Sequence, residues 1–424
     1  MTAPLRRRGP RPLPLHLSLA MLRGLAAAAT APTPDGLTWP PAWPSWNGAS
    51  PISKAARAEA SRIAAALAAG GHRPEEFRAA VLRRLRRADR GLLAGIAAYR
   101  RHPYVRALAD PPAIWTEGSS RLLDFAAPEA AAGRASARVT ALFVPSLINR
   151  AYVLDLAPGR SLLRFLAAQE GIRPLLLDWG WPGEVERGFT LTDYIAGRLE
   201  RALGAAGREP VVLVGYCMGG LLALAAALRR PDRVRALALL ATPWDFHGDA
   251  EGERRARALA GLLSGIEPVL EAHGALPVDM IQVLFAMLDP WSVAAKFRSF
   301  ARLDPASERA ALFVALEDWL NDGVPLAAPV ARECLGGWYG RNEPGRLLWR
   351  VAGAVVDPAA WAGPAFVAIP HRDRIVPPPS ARALAWRLPH ATVHEAAAGH
   401  IGMAAGGGAE EALWKPLLRW MRGL

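Results

Sequence analysis

The sequence predicts an α/β chain in which a mostly parallel, doubly wound sheet is interrupted by a helical cap insertion and preceded by a helical extension. Three observations predict it. From about residue 135, short continuous apolar runs alternate with helical patterns, as buried parallel strands and their crossover helices do. Between residues 243 and 360 the alternation gives way to a helical pattern rich in Trp and Pro, and then it returns. Residues 51–107 read as helices rich in Ala, Leu and Arg, broken at Gly70-Gly71. The expected organisation is therefore 1–107 extension, 108–242 first part of the core, 243–360 cap, and 361–424 second part of the core.

The elements follow in order. Arg6-Arg7-Arg8 and the apolar stretch 13–25 mimic a signal peptide, but His16 and Arg23 interrupt the stretch. An amphipathic helix with Leu15, Leu19, Leu22 and Ala26 on one face is the better reading. A Pro/Trp-rich stretch ending near Asn47 follows, then helices over 52–67 and 74–99. The run Arg83-Arg84-Leu85-Arg86-Arg87 reads as a solvated face. Strands are expected over 139–144, 174–178, 211–214, 234–240, 364–369 and 391–394. Helices are expected over 161–169, 192–203 with Thr192 as N-cap, 221–228, 380–387 and 409–421. Trp244, Trp291, Trp319 and Trp338 mark the insertion.

Composition narrows the function classes. The chain has 424 residues, 52% hydrophobic and 21% charged, which suits a large buried core and excludes wholesale disorder. No apolar run reaches the ~18 residues of a membrane-spanning helix, so no transmembrane segment is expected. The net charge is +13, from 51 basic and 38 acidic residues. Only Lys54, Lys296 and Lys415 are lysines, and the abundant Arg, Ala, Gly and Pro fit a GC-rich gene. The arginines are scattered and no nucleic-acid motif accompanies them, so no nucleic acid is expected as partner. The two cysteines, Cys217 and Cys334, supply neither a disulfide framework nor a four-thiolate metal site, and they form no Cys-x-x-Cys pair. No metal is expected, and a reducing, cytoplasmic setting is.

The chemistry concentrates at residues 211–220, Val-Val-Leu-Val-Gly-Tyr-Cys-Met-Gly-Gly. Gly-x-nucleophile-x-Gly between a strand and a helix is a nucleophile elbow. Its glycines let strand and helix approach, and the helix N-terminus favours an anion at the nucleophile. Here the nucleophile is Cys217. An elbow predicts an acid after a late strand and a histidine after the last strand. Asp373 and His400 fill those places; His400 would take the thiol proton and Asp373 would orient the imidazole. His371 and His394 compete with His400, and Asp357 competes with Asp373. For an oxyanion hole, Met218 offers the N–H after the nucleophile. Pro145 has no N–H, so Ser146 or Leu147 is the second candidate.

Several blocks, in this order, resemble the polyhydroxyalkanoate synthases, most closely the short catalytic subunit of the two-subunit classes. They are Val144-Pro145-Ser146-Leu147-Ile148-Asn149-Arg150 with Leu154-Asp155-Leu156, then Asp178-Trp179-Gly180-Trp181-Pro182 with Leu191-Thr192-Asp193-Tyr194-Ile195. Gly215-Tyr216-Cys217-Met218-Gly219-Gly220 is similar to that family's cysteine lipase box, and Asp373-Arg374-Ile375-Val376-Pro377 and Gly399-His400-Ile401-Gly402 resemble its acid and histidine blocks. The resemblance covers roughly residues 105–424. It implies an α/β-hydrolase fold and an acyltransferase that polymerises (R)-3-hydroxyacyl-CoA, carrying the polyester on Cys217 and releasing CoA. It also implies that His400 activates the thiol and that Asp373 assists the attacking hydroxyl. Coenzyme A then enters only as part of the substrate, with no separate cofactor. The partners implied are a second copy or an accessory synthase subunit, and a polyester granule surface. Met218, Arg374 and Ser146 depart from the family's Gln, His and second Pro. Two other readings share the fold: a thioesterase, esterase or depolymerase, and a non-catalytic granule- or membrane-surface scaffold.

Overall fold

In the computed structural model the described residues are 7–29, 31–33, 36–38, 54–126 and 138–424. They fall into two compact units, Tyr104–Leu288 with Val314–Leu424, and Met1–Pro103 with Asp289–Phe313.

The larger unit is built on a sheet whose strands are β1 (Ala113–Glu117), β2 (Ser120–Asp124), β3 (Val139–Val144), β4 (Ile172–Asp178), β5 (Val211–Tyr216), β6 (Val234–Leu240), β7 (Ala365–Pro370) and β8 (Ala391–Ala396). Six of the helices matter for the site: α1 (Leu162–Ala167), α2 (Met218–Arg229), α3 (Ala250–Gly261), α4 (Val278–Leu288), α5 (Pro378–Arg387) and α6 (His400–Ala405). The eight strands lie in the order β8-β7-β6-β5-β3-β4-β2-β1. From β3 to β8 every pairing is parallel. Strands β3, β5, β6 and β7 are buried along nearly their whole length, which is why each reads as an unbroken apolar run. The chain leaves β3 towards β4, then crosses back to place β5 on the other side of β3. Such a reversal opens a crevice at the carboxyl ends of the two central strands, where ligands of open α/β sheets bind.

Two features differ from the sequence pattern. The hairpin β1–β2 was not expected; it pairs antiparallel to β4 and makes the sheet mixed. Its strands carry Glu117, Arg121 and Asp124 and no apolar run longer than three residues, and their register on β4 is supported by the ion pair of Arg121 with Asp178 at 2.9 Å. Thr192 is not the N-cap of its helix: it has helical φ and ψ and makes no cap bond. Thr190 takes that place, two residues earlier, where Asp193 Oδ2 accepts from Thr190 N at 2.8 Å and Thr190 Oγ1 accepts from Asp193 N at 3.2 Å. Reciprocal bonding of this kind satisfies two orphan donors, which a single Thr192 hydroxyl would not.

In the smaller unit, Pro74–Arg101 and Ser292–Phe300 form helices that meet closely. A Cβ on Gly95 would sit 2.1 Å from the carbonyl oxygen of Phe297. Tyr99 meets Phe297 edge-on at 5.8 Å, and Phe300 stacks on Phe313 at 4.2 Å. That aromatic packing places residues 289–313, read from sequence as part of the insertion, with the N-terminal helices. Helix Leu13–Ala29 buries His16, while Leu15 and Leu19 are half-buried and Leu22 is exposed. The side chain of Ala26, residue Ile52 and the Pro/Trp-rich stretch to Asn47 lie outside the described residues. The arginines of the 83–87 run are exposed. Of the four tryptophans marking the insertion, Trp244, Trp319 and Trp338 are buried and Trp291 is exposed. Among the described residues no single helix is long and apolar enough to cross a membrane.

Candidate active site

Cys217 sits between β5 and α2 with φ 56° and ψ −129°. A side chain other than glycine rarely holds a positive φ, at a cost of roughly 1–3 kcal/mol, unless its surroundings fix it. Here the surroundings do. Cys217 N donates to Leu240 O at 2.8 Å, and Cys217 O accepts from Gly220 N at 2.9 Å. A Cβ on Gly215 would lie 2.2 Å from Gly220 Cα, and one on Gly219 would lie 2.1 Å from Val144 O. The glycines therefore let α2 rest on the ends of β5 and β3. Met218 is the first residue of α2, so its N–H has no partner within the helix.

His400 and Asp373 arrive from the loops after β8 and β7. His400 Nδ1 and Asp373 Oδ2 are 2.6 Å apart, and both residues are buried. Asp373 Oδ1 accepts from Ile375 N at 2.8 Å and Val376 N at 2.9 Å, which fixes the carboxylate. Tyr216, the residue before the nucleophile, donates its hydroxyl to His400 O at 3.1 Å and packs on the imidazole at 5.3 Å. Burial disfavours the imidazolium. The charges of Cys217 and Asp373, with hydrogen bonds to both, outweigh burial and push the His400 pKa up to about 10. The structure thus pairs the imidazole and carboxylate expected from the sequence, and the raised pKa of His400 couples that pair to Cys217.

Cys217 and Met218 line a cavity whose other walls come mainly from the insertion. Leu276, Ile281 and Leu284 form one side, and Leu335, Trp338 and Tyr339 another. The loop after β6 closes the cavity and is tightly held. Asp245 Oδ1 accepts from Asn342 Nδ2 at 2.8 Å and from His247 N at 2.9 Å, and Trp244 N donates to Ser380 Oγ at 3.1 Å. The loop after β3 is held as well: Trp179 Nε1 donates to Pro145 O at 3.0 Å. Ser146 points its hydroxyl at Met218 Sδ, 3.9 Å away, and accepts from Ile148 N at 3.2 Å. Leu147 is packed in the core, and Ile148 rather than Ser146 or Leu147 reaches the cavity wall.

Comparison with known proteins agrees with this fold. Residues 160–404 match the family described as alpha/beta hydrolase fold. The chain is 30% identical to the poly(3-hydroxyalkanoate) polymerase subunit PhaC of Haloferax mediterranei over 66% of its own length and 58% of that protein. It is 29% identical to the protein of that name from Synechocystis sp., over 67% of this chain and 77% of the relative. The Allochromatium vinosum protein of that name is 29% identical over 73% of this chain and 87% of its own length. The chain belongs to the polyhydroxyalkanoate synthase family of the α/β-hydrolase fold.

Within that family frame, the competing side chains are engaged elsewhere. His371 Nε2 lies 2.7 Å from Glu395 Oε2 at the surface. His394 Nε2 lies 2.7 Å from Ala412 O, its ring stacked on Phe366. Asp357 caps the turn at Ala359 and pairs with Arg387 at 2.7 Å. His390 and His394 are four apart, but no helix brings them together, and no group of three potential metal ligands occurs among the described residues. Sequence reasoning marked Trp338 only as part of the insertion and missed Asp245 and Tyr339, because nothing in a local pattern marks a residue that lines the cavity of Cys217 from the insertion.

Proposed function

We propose that the protein is a polyhydroxyalkanoate synthase-type acyltransferase acting on (R)-3-hydroxyacyl-CoA thioesters. The observation that carries this reading is Cys217 at the N-terminus of α2, on the wall of a largely apolar cavity, next to His400 held by Asp373. With Nδ1 turned to Asp373, Nε2 of His400 is the nitrogen left for the thiol. His400 holds the Sγ proton, and sulfur attacks the thioester carbonyl as the thiolate. The bond to the sulfur of coenzyme A breaks, and the departing thiolate recovers that proton. The acyl group is then a thioester on Cys217. A 3-hydroxyl group gives its proton to His400 as its oxygen attacks that thioester. The new ester bond forms, the bond to Sγ breaks to restore the thiolate, and the proton stays on His400.

The N–H of Met218, at the start of α2, is the first donor to the oxyanion. The second comes from Ser146 or Leu147, in the loop that Gly219 contacts through Val144 and Pro145. The related proteins named as polymerase subunits support an accessory subunit as partner, and the product would make a polyester granule the working surface. The test is CoA release from (R)-3-hydroxybutyryl-CoA by the purified chain, with Cys217→Ala beside it and analysis of the product. Release that needs Cys217 and leaves insoluble polyester is the expected result. Release of free hydroxy acid alone would make the protein a thioesterase. No release, with or without an added accessory subunit, would sink the enzyme reading.

A further inference from the structure

We infer that the indole N–H of Trp338 reads an oxygen at C3 of the acyl chain, so that the cavity favours 3-oxygenated acyl groups over plain alkanoyl groups. The inference rests on the acyltransferase reading of Cys217 and adds a specificity-determining residue to it. Trp338 is 3% exposed and lines the same cavity as Cys217. Its Nε1 is buried and has no hydrogen-bond partner among the described residues. Four other buried tryptophans behave differently. The indoles of Trp179, Trp319, Trp361 and Trp414 donate to the backbone carbonyls of Pro145, Arg150, Pro364 and Ala404. An unmet buried donor is costly, and native structures keep few of them without a reason.

The ring of Trp338 is fixed. It stacks on Phe246 at 5.9 Å and meets Trp349 edge-on at 5.3 Å. A fixed indole is a donor only, so its complement is an acceptor carried by the ligand. The walls nearest to it in the chain, such as Leu335, are apolar and suit the carbon chain. The thioester oxygen is claimed by donors at the elbow, which leaves the 3-hydroxyl or 3-acyloxy oxygen for Trp338. A site that hydrogen-bonds a substrate oxygen rejects the analogue lacking it far better than an apolar pocket rejects a missing methylene.

The test is single-turnover CoA release by the full chain from (R)-3-hydroxybutyryl-CoA and from butyryl-CoA. The two differ only at C3, and acylation of Cys217 needs no hydroxyl. The wild type should favour the hydroxyacyl donor by on the order of tenfold, the scale of one hydrogen bond. Trp338→Phe should lower the hydroxyacyl rate and bring the ratio near unity. Trp338→His, which keeps a ring N–H, should restore part of it and serves as the second variant if Trp338→Phe fails to fold. Equal rates in the wild type would overturn the inference. So would a ratio unchanged in folded variants, as expected if the N–H serves only the face of Trp349 or a part of the donor common to both thioesters. Absence of Cys217-dependent release from both thioesters would instead overturn the acyltransferase reading, and this inference with it.

Discussion

The two walls of the cavity are built by different means. On one side stand Cys217 and Met218, backed by the buried pair His400 and Asp373 that the loops beyond β8 and β7 supply. Their positions are set by backbone hydrogen bonds and by glycines that leave no space for a Cβ. On the other side stand Leu276, Ile281, Leu284, Trp338 and Tyr339, held by side-chain packing within the insertion. On the function proposed above, the first wall does chemistry, which tolerates little displacement. The second would select what reaches it, and apolar packing can be re-cut by several substitutions at once. The comparison teaches where each kind of change should register: in kcat on the sheet side, and in substrate preference on the insertion side.

Short of removing the nucleophile itself, the largest effect should come from the carboxylate behind His400. Asp373→Asn keeps the shape and the acceptor for Ile375 and Val376, but removes the charge facing His400. CoA release should fall on the order of 10³–10⁴-fold while the fold is kept. The same change should show in the titration of His400, held up to about 10 by the charges of Cys217 and Asp373 acting against burial. In the wild type the imidazole signal in NMR should stay that of the protonated ring well above the ordinary value of 6.5 and change only towards pH 10. The sign follows: the folded pKa is raised, so this group's contribution to stability is complete below about pH 6.5 and lost as pH rises through about 10. Asp373→Asn and Cys217→Ala should each lower the midpoint. A midpoint unmoved by both would mean the three groups do not share their charge.

Next in size is a change of one methyl group at the elbow. Gly219→Ala would put a Cβ 2.1 Å from Val144 O and 2.6 Å from Pro145 O, where backbone on both sides must move. We expect a loss of more than about 3 kcal/mol, seen as failure to obtain soluble, cooperatively unfolding protein.

This contrast also explains what the sequence revealed. Wherever backbone dictates residue type, the pattern was legible. The elbow needs Gly215, Gly219 and Gly220, and the buried strands β3 and β5 to β7 need unbroken apolar runs. Asp373 and His400 followed from the order that an elbow imposes. The hairpin β1–β2 was not legible, because its place is set by pairing with β4, far away in sequence, and supported there by the ion pair of Arg121 with Asp178. The helix start at Thr190 was missed because Thr190 and Thr192 are equivalent as letters and differ only in their bond to Asp193. Trp319 and Trp338 look alike as well, yet the first indole has a carbonyl partner and the second has none among the described residues. Side-chain geometry of that kind is not written in local spacing.

On the insertion side, Leu284→Ala should leave Cys217 as reactive as before and shift the balance of acyl chains. Leu284 is half-buried on α4 and lines the cavity, so its removal makes space without exposing the elbow. One side chain of apolar contact changes discrimination by roughly 10- to 200-fold at most. Rates with longer 3-hydroxyacyl-CoA should rise relative to 3-hydroxybutyryl-CoA, read as a ratio of kcat/KM. A fall in kcat alone, equal for all chain lengths, would place Leu284 with the chemical wall and break the comparison.

The smallest effect should have the opposite sign from Gly219→Ala. Gly265 lies within helix Leu263–His273 of the insertion, and a Cβ there meets nothing within 4 Å. It carries no positive φ. Alanine at such a site lowers the entropy of the unfolded chain and favours the helix, by about 0.4–1 kcal/mol. Gly265→Ala should therefore raise the denaturant midpoint slightly and leave CoA release unchanged. The same methyl group would thus destroy one region and strengthen the other. The outcome separates glycines that the nucleophile requires from glycines that the insertion merely tolerates. A destabilised Gly265→Ala would show that the helix must bend or approach a partner at that point, and that the insertion is as constrained as the elbow.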